Sequence, residues 1–308
     1  MIRRLIEALE GRSKEKTAAE EVERIVRQRC PVLRMTPANR RTLKEAIQEA
    51  RGRISAWMDK IPGPVSASPA RWEADPVLHA VFVDADALDE TLRRSMPLRR
   101  HFKAAPEDSS AAALLTAQWR EKTAFGTAKS GEILRRDVLQ TSVSFEDHKL
   151  IAPAPDLPSA REALERKTLD FLCAWTSGRL EDLKNWQAEL EKQRDLLKFK
   201  IEQSGSRPGD GDMDEEARVL DAINRKIRSI KADLGKSEDE FRYILQALSQ
   251  PEDFLAVEEV VLNIDRMNIL QSSQAETGTQ QVRLARFREQ DGPPKAALWV
   301  TVSRADVF

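Results

Sequence analysis

Only two cysteines, Cys30 and Cys173, occur in the 308 residues, and they lie far apart. That scarcity excludes a disulfide framework and a cysteine-built metal centre, so a reducing, cytoplasmic setting is expected. Histidine is nearly as rare: His79, His101 and His148 stand singly, in no spacing that would converge on zinc. With 12 glycines and 15 prolines the chain is neither collagen-like nor loop-dominated. No apolar run approaches the ~18 residues needed to span a bilayer, so no transmembrane segment is expected. Residues Met1 to Glu10 carry acids where a signal peptide needs an uninterrupted apolar stretch, and they read as a short amphipathic helix. Phosphate loops, dinucleotide-binding glycine fingerprints and nucleophile elbows are all missing. No catalytic, cofactor-binding or metal-ligating residue is therefore expected.

An excess of one charge is missing too, since 50 Lys and Arg face 51 Asp and Glu. The balance is uneven along the chain: residues 1–136 sum to about +7 and residues 137–308 to about −8. Ser13 to Arg29 is rich in Lys, Glu and Ala, with Val22, Ile25 and Val26 on one side, and predicts a helix. A second helix is expected from Thr36-Pro37 to about Asp59, with a capping threonine before a first-turn proline and Leu43, Ile47, Ile54 and Trp57 at helical spacing. Residues 61–70 hold three prolines and a glycine and read as a linker or extended crossing. Asp75-Pro76 starts another helix, with Leu78, Val81, Phe82, Ala85 and Leu88 as its buried stripe and Pro97 as its kink or end. A further helix is expected over Ser109 to Ala124, stopped by Gly126.

From Asp137 the period changes to two, Leu139, Thr141, Val143 and Phe145 alternating with polar residues, which predicts a half-buried strand. Val257–Ile264, Val282–Phe287 and Ala297–Val302 are further strands, the last two joined as a hairpin through Asp291-Gly292-Pro293-Pro294. Between the first strand and these lies a seven-residue repeat: Leu169, Thr176, Leu183, Leu190 and Leu197, with Cys173, Leu180, Gln187, Arg194 and Ile201 four residues after each. After the polar stretch 204–212, Leu220, Ile223, Ile227, Ile230, Leu234, Phe241, Ile244 and Leu248 continue a three-four alternation. Antiparallel pairing sets Leu197 against Leu220, Leu190 against Ile227 and Thr176 against Phe241, in arms reaching about 60 Å.

The expected architecture is α+β and predominantly helical. It has an N-terminal helical region over 1–130, a small mixed or antiparallel sheet from 131–157 and 251–308, and a long antiparallel coiled-coil hairpin inserted over 158–250. The acids from Asp84 to Glu90 lack the glycine and alternate ligands of a cation loop and read as an exposed helix face. His148, beside Asp147 and near Ser142 and Ser144, reads as a strand end rather than a triad member.

Reach without a chemical constellation points to a non-enzymatic adaptor or assembly component that engages other proteins, with Arg207, Asp210 and Asp212 at the hairpin tip as contact residues. The alternative is a nucleic-acid-associated factor using Arg40, Arg41, Arg93, Arg94, Arg99 and Arg100 on phosphates. A homo-oligomer, and an enzyme whose site is assembled from distant residues, stay open at this level.

Overall fold

The computed structural model describes residues 20, 22, 24, 25, 36–130, 133–204, 211–234, 237–271, 278–289 and 292–308. Along the chain come α1 (Pro37–Met58), β1 (Val65–Ser66), α2 (Pro76–Val81), α3 (Ala85–Arg94) and α4 (Met96–Ala104). The long strands β2 (Ser110–Ser130) and β3 (Ile133–Ala154) follow, then α5 (Leu157–Ser204), α6 (Gly211–Leu234) and α7 (Ser237–Ser249). The chain closes with β4 (Leu255–Ile264), β5 (Gln280–Glu289) and β6 (Lys295–Ser303). The protein is thus mixed α+β. It divides into two compact units, Met1–Ala50 with Leu169–Pro251 and Arg51–Thr168 with Glu252–Phe308, called here the helical unit and the sheet unit.

In the sheet unit the strands run in the order β3-β2-β6-β5-β4, every neighbouring pair antiparallel. β6 pairs with β5 only over Lys295 to Ala297, after which β1 takes the same edge in parallel at Val300 and Thr301. At the far end, residues 265–271 bridge β4 to β3 through Ile264↔Leu270 and Ser142↔Ile269, so the curled sheet has its two outer strands linked. Phe82, Phe102, Trp119, Phe145, Leu284, Leu298 and Val300 belong to the core on one side. Leu114 and Trp299, register partners on β2 and β6, are buried on the other. Arg51 of α1 pairs with Glu165 of α5, Asp59 just past α1 pairs with Arg161 of α5, and Lys60 donates to the Val257 carbonyl on β4.

The helix expected over Ser109–Ala124 is instead the first part of β2. Ala111 to Leu115 and Ala117 are all buried, because β2 lies between β3 and β6 with both faces covered. A strand buried on both faces has no period-two signal, and its Ala and Leu content mimics a helix. The region 1–130 is accordingly not wholly helical: β2 belongs to the sheet.

The single helix read after Asp75 is also broken. Asp75 caps α2 by accepting from the amides of Val77 and Leu78, but Phe82 is extended and Asp84 caps a new helix by accepting from Ala87. Ser95 then caps α4, with Pro97 in its first turn. The extended crossing at 61–70 is present. Trp299 donates its amide to Pro62 O, and a Cβ on Gly63 would stand 2.3 Å from the Trp299 carbonyl oxygen, at a φ of +111° that only glycine adopts freely.

α1 begins as the sequence predicts, Thr36 accepting from the Asn39 amide ahead of Pro37. Of the Ser13–Arg29 helix only residues 20, 22, 24 and 25 are described; all are helical, and Val22 and Ile25 are buried. The second arm of the seven-residue repeat is helical over α6 and α7, and residues 235–236 between them lie outside the described residues.

Candidate partner-binding surface on the helical unit

α5 is 48 residues long, and its part from Leu169 onward belongs to the helical unit. Leu169, Leu172, Cys173 and Thr176 are buried there, and the Thr176 hydroxyl donates to the Cys173 carbonyl, which satisfies the one buried polar side chain of this stretch. Further along, Leu183, Gln187, Leu190, Arg194, Leu197 and Ile201 are half-buried while most residues between them are exposed. In α6, Ile227 and Ile230 are buried and Leu220 and Ile223 half-buried; in α7, Phe241, Ile244 and Leu248 are buried. Burial therefore follows the three-four spacing of the apolar residues.

Two contacts join α5 to α6. Lys231 lies 2.9 Å from a carboxylate oxygen of Glu191, and the Lys226 ammonium sits 4.7 Å from the centre of the Trp186 ring. The Lys231 hydrogen bond, with a second from Gln187, holds the Glu191 carboxyl below its ordinary range. Both contacts are solvent-facing and add little to stability.

The back of α5 is not uniformly polar. Leu196 is 69% exposed and Phe199 59%, one turn apart and roughly opposite the half-buried stripe. Trp186 on α5 and Val219 on α6 are also exposed. Adjacent large apolar side chains on a helix face offer contact area to another surface, and aromatic groups dominate such contacts energetically. Leu196 and Phe199 fall outside the seven-residue repeat, so the repeat does not single them out.

Of the tip residues named from the sequence, Arg207 and Asp210 lie outside the described residues, and Asp212 is placed by its backbone alone, in the first turn of α6. The arginines of the nucleic-acid alternative are divided between the two units. Arg40 and Arg41 lie at the start of α1, in the helical unit, where Arg41 pairs with Glu45. Arg93 and Arg94 end α3 and pair with Asp89 and Glu90 one turn back. On α4, Arg99 reaches the Arg93 carbonyl and lies over the Phe308 ring, while Arg100 is exposed. Arg41, Arg93 and Arg94 are thus already matched with carboxylates.

No protein-family model, curated protein or solved structure matches this chain.

Among the described residues no helix is long and apolar enough to cross a membrane. The sheet unit holds a cleft of about 470 Å³ lined by Glu90, Arg94, Met96, His148, Lys149 and neighbours. Its charges are committed locally: Arg94 to Glu90 and Lys149 to Asp147. His148 is a structural residue, its Nε2 lying 2.8 Å from Val81 O and its ring stacked on Phe82 at 4.3 Å. Burial lowers its pKa, so the neutral imidazole donates to that carbonyl. Ser142 donates instead to Lys122 O across the β2–β3 pair, so the two residues do not form a nucleophile and base. Asp84 and Asp89, from the acidic run, act as a helix cap and an arginine partner.

Proposed function

We propose that this protein is a non-enzymatic cytoplasmic adaptor or assembly component, and that α5, α6 and α7 form an antiparallel coiled-coil hairpin whose distal end engages other proteins. The observation that carries the proposal is the exposed Leu196–Phe199 pair, close to the end of α5 at Ser204. The pairing of Leu190 with Ile227 and Leu197 with Leu220 is supported by the three-four burial pattern, and the Glu191–Lys231 and Trp186–Lys226 contacts bring side chains of α5 and α6 together. With that stripe turned inward, Leu196 and Phe199 have no role in holding the helices together. Partner contact then combines this apolar pair with the polar tip, Arg207, Asp210 and Asp212, whose charges steer the encounter.

The test is recovery of co-purifying proteins from the native host, quantified for three forms of the full-length chain. Leu196→Ser/Phe199→Ser should lower the recovery of specific partners by about tenfold or more, as loss of an apolar anchor does. Changing Arg207, Asp210 and Asp212 together to alanine should weaken recovery less. Helical content by circular dichroism should be unchanged in both. Recovery equal to that of the parent chain in both variants would refute a partner site on this part of the hairpin.

A further inference from the structure

On the strands of the sheet unit Arg120, Arg283, Arg286 and Lys295 each pair with a glutamate, and on α3 Arg93 and Arg94 pair with acids one turn back. α4 differs. From Met96 to Ala104 it carries Arg99, Arg100 and Lys103 and no acid. Among the described residues none of these three pairs with a carboxylate. Leu98 and Phe102 are the buried positions of the helix, so helical spacing sets the three cations together on its outer side, where all are exposed. Like charges four residues apart, as Arg99 and Lys103 are, weaken a helix. The helix dipole favours Lys103 in the last turn but gives nothing to Arg99 in the first half.

A fourth cation reaches this place from the end of the sheet. Arg304 opens the short turn Arg304–Asp306 after β6 and donates to Phe102 O at 3.2 Å and to Pro106 O at 2.7 Å, which fixes its guanidinium at the C-terminus of α4. Phe308 follows, 49% exposed. The guanidinium carbons of Arg99 and Arg304 each lie 5.6 Å from the centre of its ring. Phe102, the aromatic residue beside these cations in sequence, is buried, so it is the fold that sets an exposed ring among them. Nearby acids are engaged elsewhere: Asp108 lies 3.1 Å from His101 Nε2, and Asp306 accepts from Ser68. Glu107 is exposed and, among the described residues, pairs with none of the four cations.

We infer that Arg99, Arg100, Lys103 and Arg304 bind the phosphates of a single-stranded nucleic acid, and that Phe308 stacks on one of its bases. Four cations without carboxylate partners on one surface complement a polyanion, and a guanidinium matches phosphate oxygens with paired donors. The ring selects the kind of polyanion. A base is free to stack on a side chain only where the strand is single, since in a duplex its faces are covered by its neighbours. An anionic membrane is held by apolar side chains that reach past the cations, whereas the Phe308 ring is held against two guanidiniums. Phosphate contacts and stacking of this kind are indifferent to base sequence.

The experiment is fluorescence anisotropy of the full-length protein with a labelled, mixed-sequence single-stranded DNA of about 20 nucleotides. Each bound phosphate contributes about −0.7 to the slope of log affinity against log salt, so the slope should be about −2.8 and affinity should fall about fifty-fold between ~50 and ~200 mM salt. Arg99→Ala/Arg100→Ala/Lys103→Ala should bind about tenfold or more weakly, with a slope near −0.7 and, because these side chains are exposed, an unchanged melting temperature. Arg99→Lys/Arg100→Lys keeps the charges and should keep the slope. Phe308→Ala should weaken single-strand binding about fivefold at an unchanged slope. The duplex of the same sequence should bind more weakly than the single strand and be indifferent to Phe308→Ala. Leu196→Ser/Phe199→Ser should bind the oligonucleotide like the parent, which separates this surface from the partner site proposed above.

A parent chain that leaves the oligonucleotide free would overturn the inference. So would a salt slope that the triple alanine variant leaves unchanged, or a Phe308→Ala protein that binds single strands like the parent. Tighter binding to the duplex would refute the single-strand assignment. Capture on phosphatidylserine-containing vesicles that exceeds oligonucleotide binding and is lost in the triple variant would assign the surface to a membrane and sink the proposal equally.

Discussion

In the sheet unit burial is two-sided. Ala296, Ala297, Leu298, Trp299 and Val300 are consecutive and all buried, and so are Ala111 to Leu115 on the neighbouring strand. In the helical unit burial returns every three or four residues, with exposed positions between Leu220, Ile223, Ile227 and Ile230. The difference is one of dependence. A strand covered on both faces is held by pairs with distant segments, β6 by β2, β5 and β1 together, so its removal takes a partner from each of them at once. A helical stripe is a chain of similar contacts, and the loss of one leaves the rest in place.

The largest expected effect is therefore truncation before Pro293. It removes Leu298, Trp299, Val300 and Val302, worth about 1.5–3 kcal/mol each, which approaches the whole stability of a typical domain. Circular dichroism should show no cooperative strand transition. A truncated protein that melts like the parent would mean β6 is peripheral to the sheet. Ile230→Ala should act on the other side of the comparison, lowering the stability of the helical unit by about 2–3 kcal/mol while the strand signal melts as before. Equal shifts of both signals would show that the two units unfold as one.

The smallest effect concerns His148, whose pKa is lowered chiefly by burial, against the raising influence of the Val81 carbonyl and Asp147. The folded state binds the proton less readily than the unfolded chain. Stability is then full above the unperturbed pKa of 6.5 and falls as pH drops through and below it. His148→Gln, which keeps a donor for Val81 O, should show a smaller fall in melting temperature between neutral pH and about pH 5. Identical pH profiles for the two proteins would mean that His148 is protonated without cost in the fold.

These contrasts also explain what could be read from the sequence. β4, β5 and β6 stood out because Val, Ile and Leu cluster there between turn residues, and α1 because Thr36 and Pro37 mark its start. The Leu220–Ile230 stripe was legible because helical periodicity survives in one dimension. β2 was not, since the partners that make Ala111 to Ala117 a strand lie more than 30 residues away in β3 and more than 170 away in β6. The alternation at Leu139, Thr141, Val143 and Phe145 gave the strand but not the depth of each residue. Phe145 and Val143 are buried, while Leu139 stands in solvent, because the β2–β3 pair outruns the core. For the same reason Leu196 and Phe199 carry no mark in the repeat: exposure is set by what is absent from the other side of the helix.

The end of α2 is closed by side chains. Asn268 donates to Ala80 O at 2.7 Å, His148 to Val81 O at 2.8 Å and Trp72 to Phe82 O at 2.9 Å. A six-residue helix has too few internal bonds to persist by itself. The carbonyls of Ala80 and Val81 are satisfied only once two distant parts of the chain, carrying Asn268 and His148, have arrived. The Trp72 indole, bonded to Phe82 O and stacked on His79 at 4.8 Å, closes the same turn from only a few residues upstream. The short helix is thus a keystone that neighbouring and distant chain must both hold in place, and it forms no earlier than they do.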